Sequence, residues 1–149
     1  MIPDTATRVQ KHTAPHINSR IQHETQDRVA EFENNDRRAA LTKRLNELDR
    51  EWDIERALQT NFALVSLIGL VLAAQVNKRW LAFALAVPAF MVQHSLQGWC
   101  PPLSVMRRLG FRTSREINEE RFALKSLRGD FIKAGHARNA EGILRAVKS

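Results

Sequence analysis

The sequence predicts an all-α protein in which a two-helix transmembrane hairpin is flanked by amphipathic cytoplasmic helices. Two charge-free stretches carry this prediction, since 21 residues separate Arg56 from Lys78 and 27 separate Arg79 from Arg107. The third observation is the distribution of charge, since most of the net charge of +7 lies after these stretches. Polar flanks dilute the two apolar stretches, so the overall 44% hydrophobic content is that of an ordinary soluble protein.

Charge divides the chain into three segments. Residues 1–60 hold ten Lys/Arg and eleven Asp/Glu, whereas residues 107–149 hold eleven Lys/Arg and five Asp/Glu. A basic segment beside an apolar one favours contact with anionic lipid headgroups. No DNA- or RNA-binding motif accompanies it, and we expect no nucleic-acid partner. We also expect no N-terminal signal peptide, because the first 60 residues lack an apolar run.

Residues 1–56 are predicted to form a polar, amphipathic helical region. The first dozen residues are expected to be a loose arm, followed by a weakly amphipathic helix over residues 16–33 and a break at which Asp36 is a good N-cap. A second helical stripe follows at spacings of four, three and four residues: Leu41, Leu45, Leu48 and Trp52. Because no Gly or Pro lies between Asp36 and Gly69, this helix is expected to run directly into the next segment.

Residues 57–100 are predicted to form the transmembrane hairpin, with spans over residues 57–77 and 80–99. A helix rises about 1.5 Å per residue, so each span would cross a hydrocarbon core about 30 Å thick. Trp80 and Trp99 occupy the two ends of the second span, where interfacial aromatic residues are enriched. The alternative is a soluble bundle that buries both helices on all sides.

Basic residues near the spans predict the orientation of the hairpin. The connecting loop has two, Lys78 and Arg79, which are expected to snorkel to the outer interface. The flanks have four each, so the positive-inside rule puts both termini in the cytoplasm. The C-terminal four are expected to face the headgroups: Arg107, Arg108, Arg112 and Arg115.

Residues 101–149 are predicted to be a basic cytoplasmic tail. Two consecutive prolines at positions 101 and 102 are expected to end the second span sharply, and residues 103–109 to form a surface-lying turn. Thr113 and Glu116 form a capping-box pattern, which predicts an amphipathic helix over residues 114–128.

Few residues suggest chemistry. Cys100, the one cysteine, is a candidate nucleophilic thiol or a small packed residue, and it sits where a helix C-terminus would disfavour the thiolate. Gln93, His94 and Gln97 are polar at predicted membrane depth, either for function or for hydrogen bonds between helices. No metal-ligand spacing or phosphate-binding loop occurs, so no metal, cofactor or catalytic residue is predicted.

Three short motifs resemble those of a known family. Asp-Ile-Glu-Arg (53–56) precedes the first span, Gly-Trp-Cys-Pro (98–101) closes the second, and Leu-Gly-Phe-Arg-Thr (109–113) follows. On these motifs residues 53–114 resemble the YgaP-like inner-membrane transmembrane domain, a bacterial family of unknown function. The resemblance implies a multi-pass protein of the bacterial inner membrane. Some members are fused to a rhodanese domain, but no sulfurtransferase activity carries over to these residues, and Ser114 stands where many members have a second cysteine.

The sequence therefore predicts a small membrane-anchored helical module for interaction or self-association. Its expected partners are the lipid bilayer, further copies of itself, and a cytoplasmic protein. Two alternatives remain open: a thiol relay in which Cys100 carries sulfur for a partner sulfurtransferase, and a soluble helical adaptor.

Overall fold

Helices predominate in the computed structural model, which describes residues 6–33, 38–132 and 140–141. No strand occurs in these ranges, so the all-α prediction is confirmed. The predicted N-cap Asp36 lies outside the described residues. The helices are α1 (Arg8–Lys11), α2 (Pro15–Glu33), α3 (Arg38–Leu48), α4 (Ile54–Gln75), α5 (Trp80–Gln97), α6 (Pro101–Arg108) and α7 (Ser114–Arg128).

The chain divides into two compact units, each made of two separate segments. Unit 1 comprises Met1–Ile21 and Trp52–Arg115, and unit 2 comprises Gln22–Glu51 and Glu116–Ser149. The chain passes from one unit to the other inside α2 and inside α7, so both helices contribute to both units.

Unit 1 is built on the packing of α4 against α5, with α1 and α6 completing its core. Its buried cluster joins residues from all four helices and from the residue before α6: Val9, Ile54, Leu58, Phe62, Val87, Cys100 and Leu103. The two long helices approach closely at Gly69, where an added Cβ would lie 3.0 Å from the Ala84 Cβ. Glycine at this position therefore sets the distance between the two helices.

The first helix packs against the end of α5. Gly98 ends α5 with a φ of +78°, a left-handed conformation that glycine adopts without steric cost. A Cβ at Gly98 would lie 2.6 Å from the Arg8 Cβ, so α1 covers this turn. Val9 is 2% exposed, so the expectation of a loose arm is wrong for residues 6–12, the part of that segment that the structure describes.

Unit 2 is a second helical core in which α3 packs with α7 and the C-terminal part of α2. Its apolar cluster is Leu41, Leu45, Leu48, Ile117 and Leu124, with Val29 and Phe32 packed against it. Three members of the predicted stripe are thus buried together. Trp52, the fourth, lies in unit 1 and is 44% exposed, with the Arg56 guanidinium 4.5 Å above its ring.

Two helix boundaries differ from the predicted ones. The expected continuous helix is interrupted, because α3 ends at Leu48 and Asp53 starts α4 by accepting the Arg56 N–H at 2.7 Å. The prolines at 101 and 102 do not end α5, which already ends at Gln97. They occupy the first turn of α6 instead, where the missing N–H groups need no partner. The expected surface turn is thus a helix.

Among the described helices, only α4 is long and apolar enough to cross a membrane. The polar residues Gln93, His94 and Gln97 make the last turns of α5 less apolar. Packing of α4 against α5 is therefore a feature of the structure, whereas the crossing of a membrane by both helices stays a prediction.

Candidate functional site

The outer surface of α4 and α5 is apolar and exposed. Only 22% of the most apolar 18-residue window of α4 is buried. Large apolar side chains at least 40% exposed follow both helices: Leu64, Leu67, Ile68, Leu70, Val71, Leu81, Phe83, Leu85, Phe90, Val92 and Leu96. A monomeric soluble protein rarely exposes so continuous an apolar surface, and surfaces of this kind contact membranes or other proteins.

The residues expected at the membrane interfaces are exposed. Trp80 is 40% and Trp99 37% exposed, and the Trp80 ring meets the Phe83 ring edge-on at 5.8 Å. Lys78 and Arg79 are exposed in the short connection, where the Arg79 N–H donates to a side-chain oxygen at 2.9 Å. Their side chains are thus free to extend to headgroups, and membrane contact itself stays a prediction.

The polar residues predicted at membrane depth do not share one environment. His94 is 1% exposed, and neither ring nitrogen makes a hydrogen bond. Gln93 is half-buried and Gln97 is exposed. The Arg8 Nε atom is likewise buried without an acceptor in the described part of the chain. The structure therefore separates His94, which is enclosed by protein, from the two glutamines.

Cys100 lies inside the core of unit 1, not at its surface. Its side chain is fully buried in the cluster that includes Ile54 and Leu103. Burial raises the pKa of the Cys100 thiol, although the hydrogen bond from the Leu103 backbone acts in the opposite direction. Both the enclosure and the raised pKa disfavour the reactive thiolate. The described residues contain no group of three or more His, Cys, Asp or Glu side chains that could hold a metal ion.

Two of the four basic residues expected at the headgroups are buried in protein. Arg107 is fully buried, and its guanidinium donates to Asn18 Oδ1 at 2.8 Å, to Thr13 Oγ1 at 3.1 Å and to the Phe111 carbonyl at 3.1 Å. Arg112 is 4% exposed. The headgroup-facing expectation is therefore wrong for these two side chains, because protein groups enclose them.

The other two basic residues, Arg108 and Arg115, are exposed. Sequence reasoning could not distinguish the two pairs, because the Asn18 and Thr13 acceptors of Arg107 lie 89 and 94 residues away.

Unit 2 contains a buried ionic cluster that the sequence analysis missed. Glu120 is fully buried, with Oε1 accepting from Arg44 Nε at 2.8 Å and Oε2 from Arg28 Nε at 3.3 Å. Burial alone would lower the pKa of Arg44, but the hydrogen bond and charge of Glu120 raise it. A signal was present, since Glu120 lies three residues after Ile117 and four before Leu124, on the apolar stripe of α7.

An open groove runs along α3 in the same unit, with a volume of about 770 Å³. Its lining includes three cations and one carboxylate: Arg38, Lys43, Arg50 and Glu47. The groove is therefore a predominantly basic surface within unit 2.

No family model, curated protein or solved structure matches the chain. The resemblance to the YgaP-like domain accordingly stays a prediction from the motifs at residues 53–56, 98–101 and 109–113.

Proposed function

We propose that the chain is a small integral protein of the bacterial inner membrane, in which the α4–α5 pair is a two-span anchor for a cytoplasmic helical interaction module. The exposed apolar surface of α4 and α5 is the observation that carries this proposal. Full burial of one large apolar side chain is worth about 1.5–3 kcal/mol. The two helices carry eleven large apolar side chains that are about half-exposed. If each contributes half of that value, the removal of this surface from water is favourable by on the order of 10 kcal/mol.

A soluble adaptor would leave this surface in water or require a large apolar partner. Basic residues favour the bilayer, because exposed Lys78 and Arg79 end the apolar surface at one side and exposed Arg108 and Arg115 follow it at the other. The greater number of basic residues outside the connecting loop supports cytoplasmic termini.

The interaction role is assigned to unit 2, which has its own apolar core and the basic groove along α3. The partners proposed are a cytoplasmic protein with an acidic surface and further copies of the chain. A thiol relay through Cys100 receives no support, since the sulfur is fully buried.

The anchor is tested by washing cell membranes with alkaline carbonate and comparing two lysine substitutions at exposed leucines. Leu67, 58% exposed in α4, and Leu127, 42% exposed in α7, offer the matched pair. A central lysine costs about 2.5–3.5 kcal/mol in a transmembrane helix. We expect wild type and Leu127→Lys to remain in the pellet, and Leu67→Lys to be partly released or degraded. Release of the wild type into the wash would overturn the proposal.

A further inference from the structure

Helix α6 has two faces with different surroundings. On the inner face, Leu103 is fully buried in the unit 1 core and Arg107 is fully buried in its hydrogen bonds to Thr13 and Asn18. These contacts fix the rotation of α6 about its axis. The side of α6 opposite Arg107 is therefore held outward.

The outer face combines apolar side chains with a cation. Val105 is 58% exposed, and Leu109, directly after the helix, is 72% exposed, the highest value among the exposed large hydrophobic side chains in the described ranges. Arg108 is exposed beside them, and its carbonyl accepts a hydrogen bond from Arg20 Nη2 at 2.8 Å. Two guanidinium-bearing residues thus accompany the apolar side chains.

The position of α6 in the chain indicates what this face contacts. It starts four residues after the end of α5, and the partly exposed Trp99 lies in the connection. Short helices with apolar and basic residues on one side lie in the plane of the membrane interface, with the apolar groups at the acyl boundary and the cations at phosphates. The outer-face charges are positive, which complements an anionic leaflet.

We propose that the outer face of α6 rests on the cytoplasmic leaflet, where Val105 and Leu109 enter the acyl boundary and Arg108 binds the phosphate of an anionic lipid. This inference rests on the proposed membrane anchor. It adds a lipid-binding surface outside the two spans and gives the headgroup role to Arg108, while Arg107 holds the helix in place from inside.

Nitroxide depth measurements in proteoliposomes test the proposal with the full-length chain. Single cysteines at Leu109, Val105, Leu67 and Glu119 are introduced into a Cys100→Ser background and spin-labelled. Collision rates with oxygen and with a water-soluble nickel chelate give the depth of each label, in phosphatidylcholine vesicles with and without phosphatidylglycerol. Leu67 is the reference within the proposed span, and exposed Glu119 is the aqueous reference.

We expect the labels at 109 and 105 to lie at interfacial depth, with lower access to the nickel chelate when phosphatidylglycerol is present. Arg108→Glu should remove this dependence on anionic lipid. Aqueous labels at 109 and 105 together with a deep label at 67 would overturn the proposed lipid contact of α6 but not the membrane anchor. A protein partner would then be the alternative that covers the outer face of α6. An aqueous label at 67 would overturn the anchor itself. Interfacial labels whose depth ignores phosphatidylglycerol would overturn the assignment of Arg108 to an anionic lipid.

Discussion

Replacing Glu120 by glutamine removes the negative charge at the centre of unit 2. The two carboxylate oxygens accept from different helices, Oε1 from Arg44 in α3 and Oε2 from Arg28 in α2. The carbonyl oxygen of a glutamine can accept from one of the two arginines. Its NH2 group then faces the other guanidinium, and because both groups only donate, no hydrogen bond forms there. Glu120→Gln should therefore loosen the contact of α7 with one of the other two helices.

The size of the effect follows from the two distances. A hydrogen bond to a charged group contributes about 1.5–3 kcal/mol. The Arg44 bond at 2.8 Å has the length of a strong charge-assisted bond, whereas the Arg28 bond at 3.3 Å is long. The Arg44 side chain is 21% exposed and the Arg28 side chain 32%, so hydrogen bonds to water offset part of the lost stability in the variant. We expect a loss of about 2–4 kcal/mol, less than the sum of both bonds.

Amide hydrogen exchange measures this loss directly in the full-length protein. Tryptophan fluorescence would not report it, because all three tryptophans lie outside unit 2. At about 1.4 kcal/mol per tenfold, amides in α3 and in α7 after Glu116 should exchange roughly 30- to 700-fold faster. Glu119→Gln is the matched control, since Glu119 is exposed and surface ion pairs contribute little. Equal acceleration in the two variants would refute the proposed role of the buried carboxylate.

Three further predictions follow from single contacts. Gly98→Ala should destabilise unit 1 by roughly 1–3 kcal/mol, because it forces a side chain into a left-handed turn and toward the Arg8 Cβ; a denaturation midpoint unchanged from wild type would contradict this. Iodoacetamide should alkylate Cys100 at least about tenfold more slowly in the folded protein than after unfolding, as followed by mass spectrometry, since the thiol is buried and its pKa is raised; equal rates would argue for an accessible thiol. The hydrogen bond and charge of Arg128 lower the pKa of Asp130 below its ordinary 3.8, so its stabilising effect is present above that value and is lost as the pH falls through the lowered pKa. Carboxyl-carbon NMR titration should show this low pKa, and Arg128→Gln should return it toward 3.8.

Local sequence patterns predicted helix boundaries correctly where a strong local signal marks them. The capping-box pattern at Thr113 placed the start of α7 at Ser114, and the predicted helix over residues 16–33 differs from α2 by one residue. The start of α4 was missed because Asp53 caps a helix without a preceding Gly or Pro. The prolines at the start of α6 were misinterpreted, since proline both ends one helix and fits the first turn of the next.

The surroundings of the polar residues were less predictable, because distant parts of the chain provide them. Arg107 and Arg108 are adjacent arginines beside a predicted membrane span, and nothing in the sequence distinguishes them. Arg107 is nevertheless buried, and its guanidinium donates hydrogen bonds to Thr13 and Asn18. Cys100 and His94 are enclosed through the packing of unit 1, to which α1 contributes. Glu120 is different, since its place on the apolar stripe of α7 could have been recognised from periodicity alone.

The dependence of the unit 1 core on both α1 and α6 has a consequence for biosynthesis. Thr13 and Arg107 are 94 residues apart, so the N-terminal segment leaves the ribosome long before its partner is made. At about 5–20 residues per second, Val9 and Thr13 wait roughly 5–20 s for α6. During that interval α4 and α5 are synthesised, so both long helices precede the closure of the unit 1 core. A nascent chain that stalls before α6 would therefore have an open unit 1 core accessible to proteases.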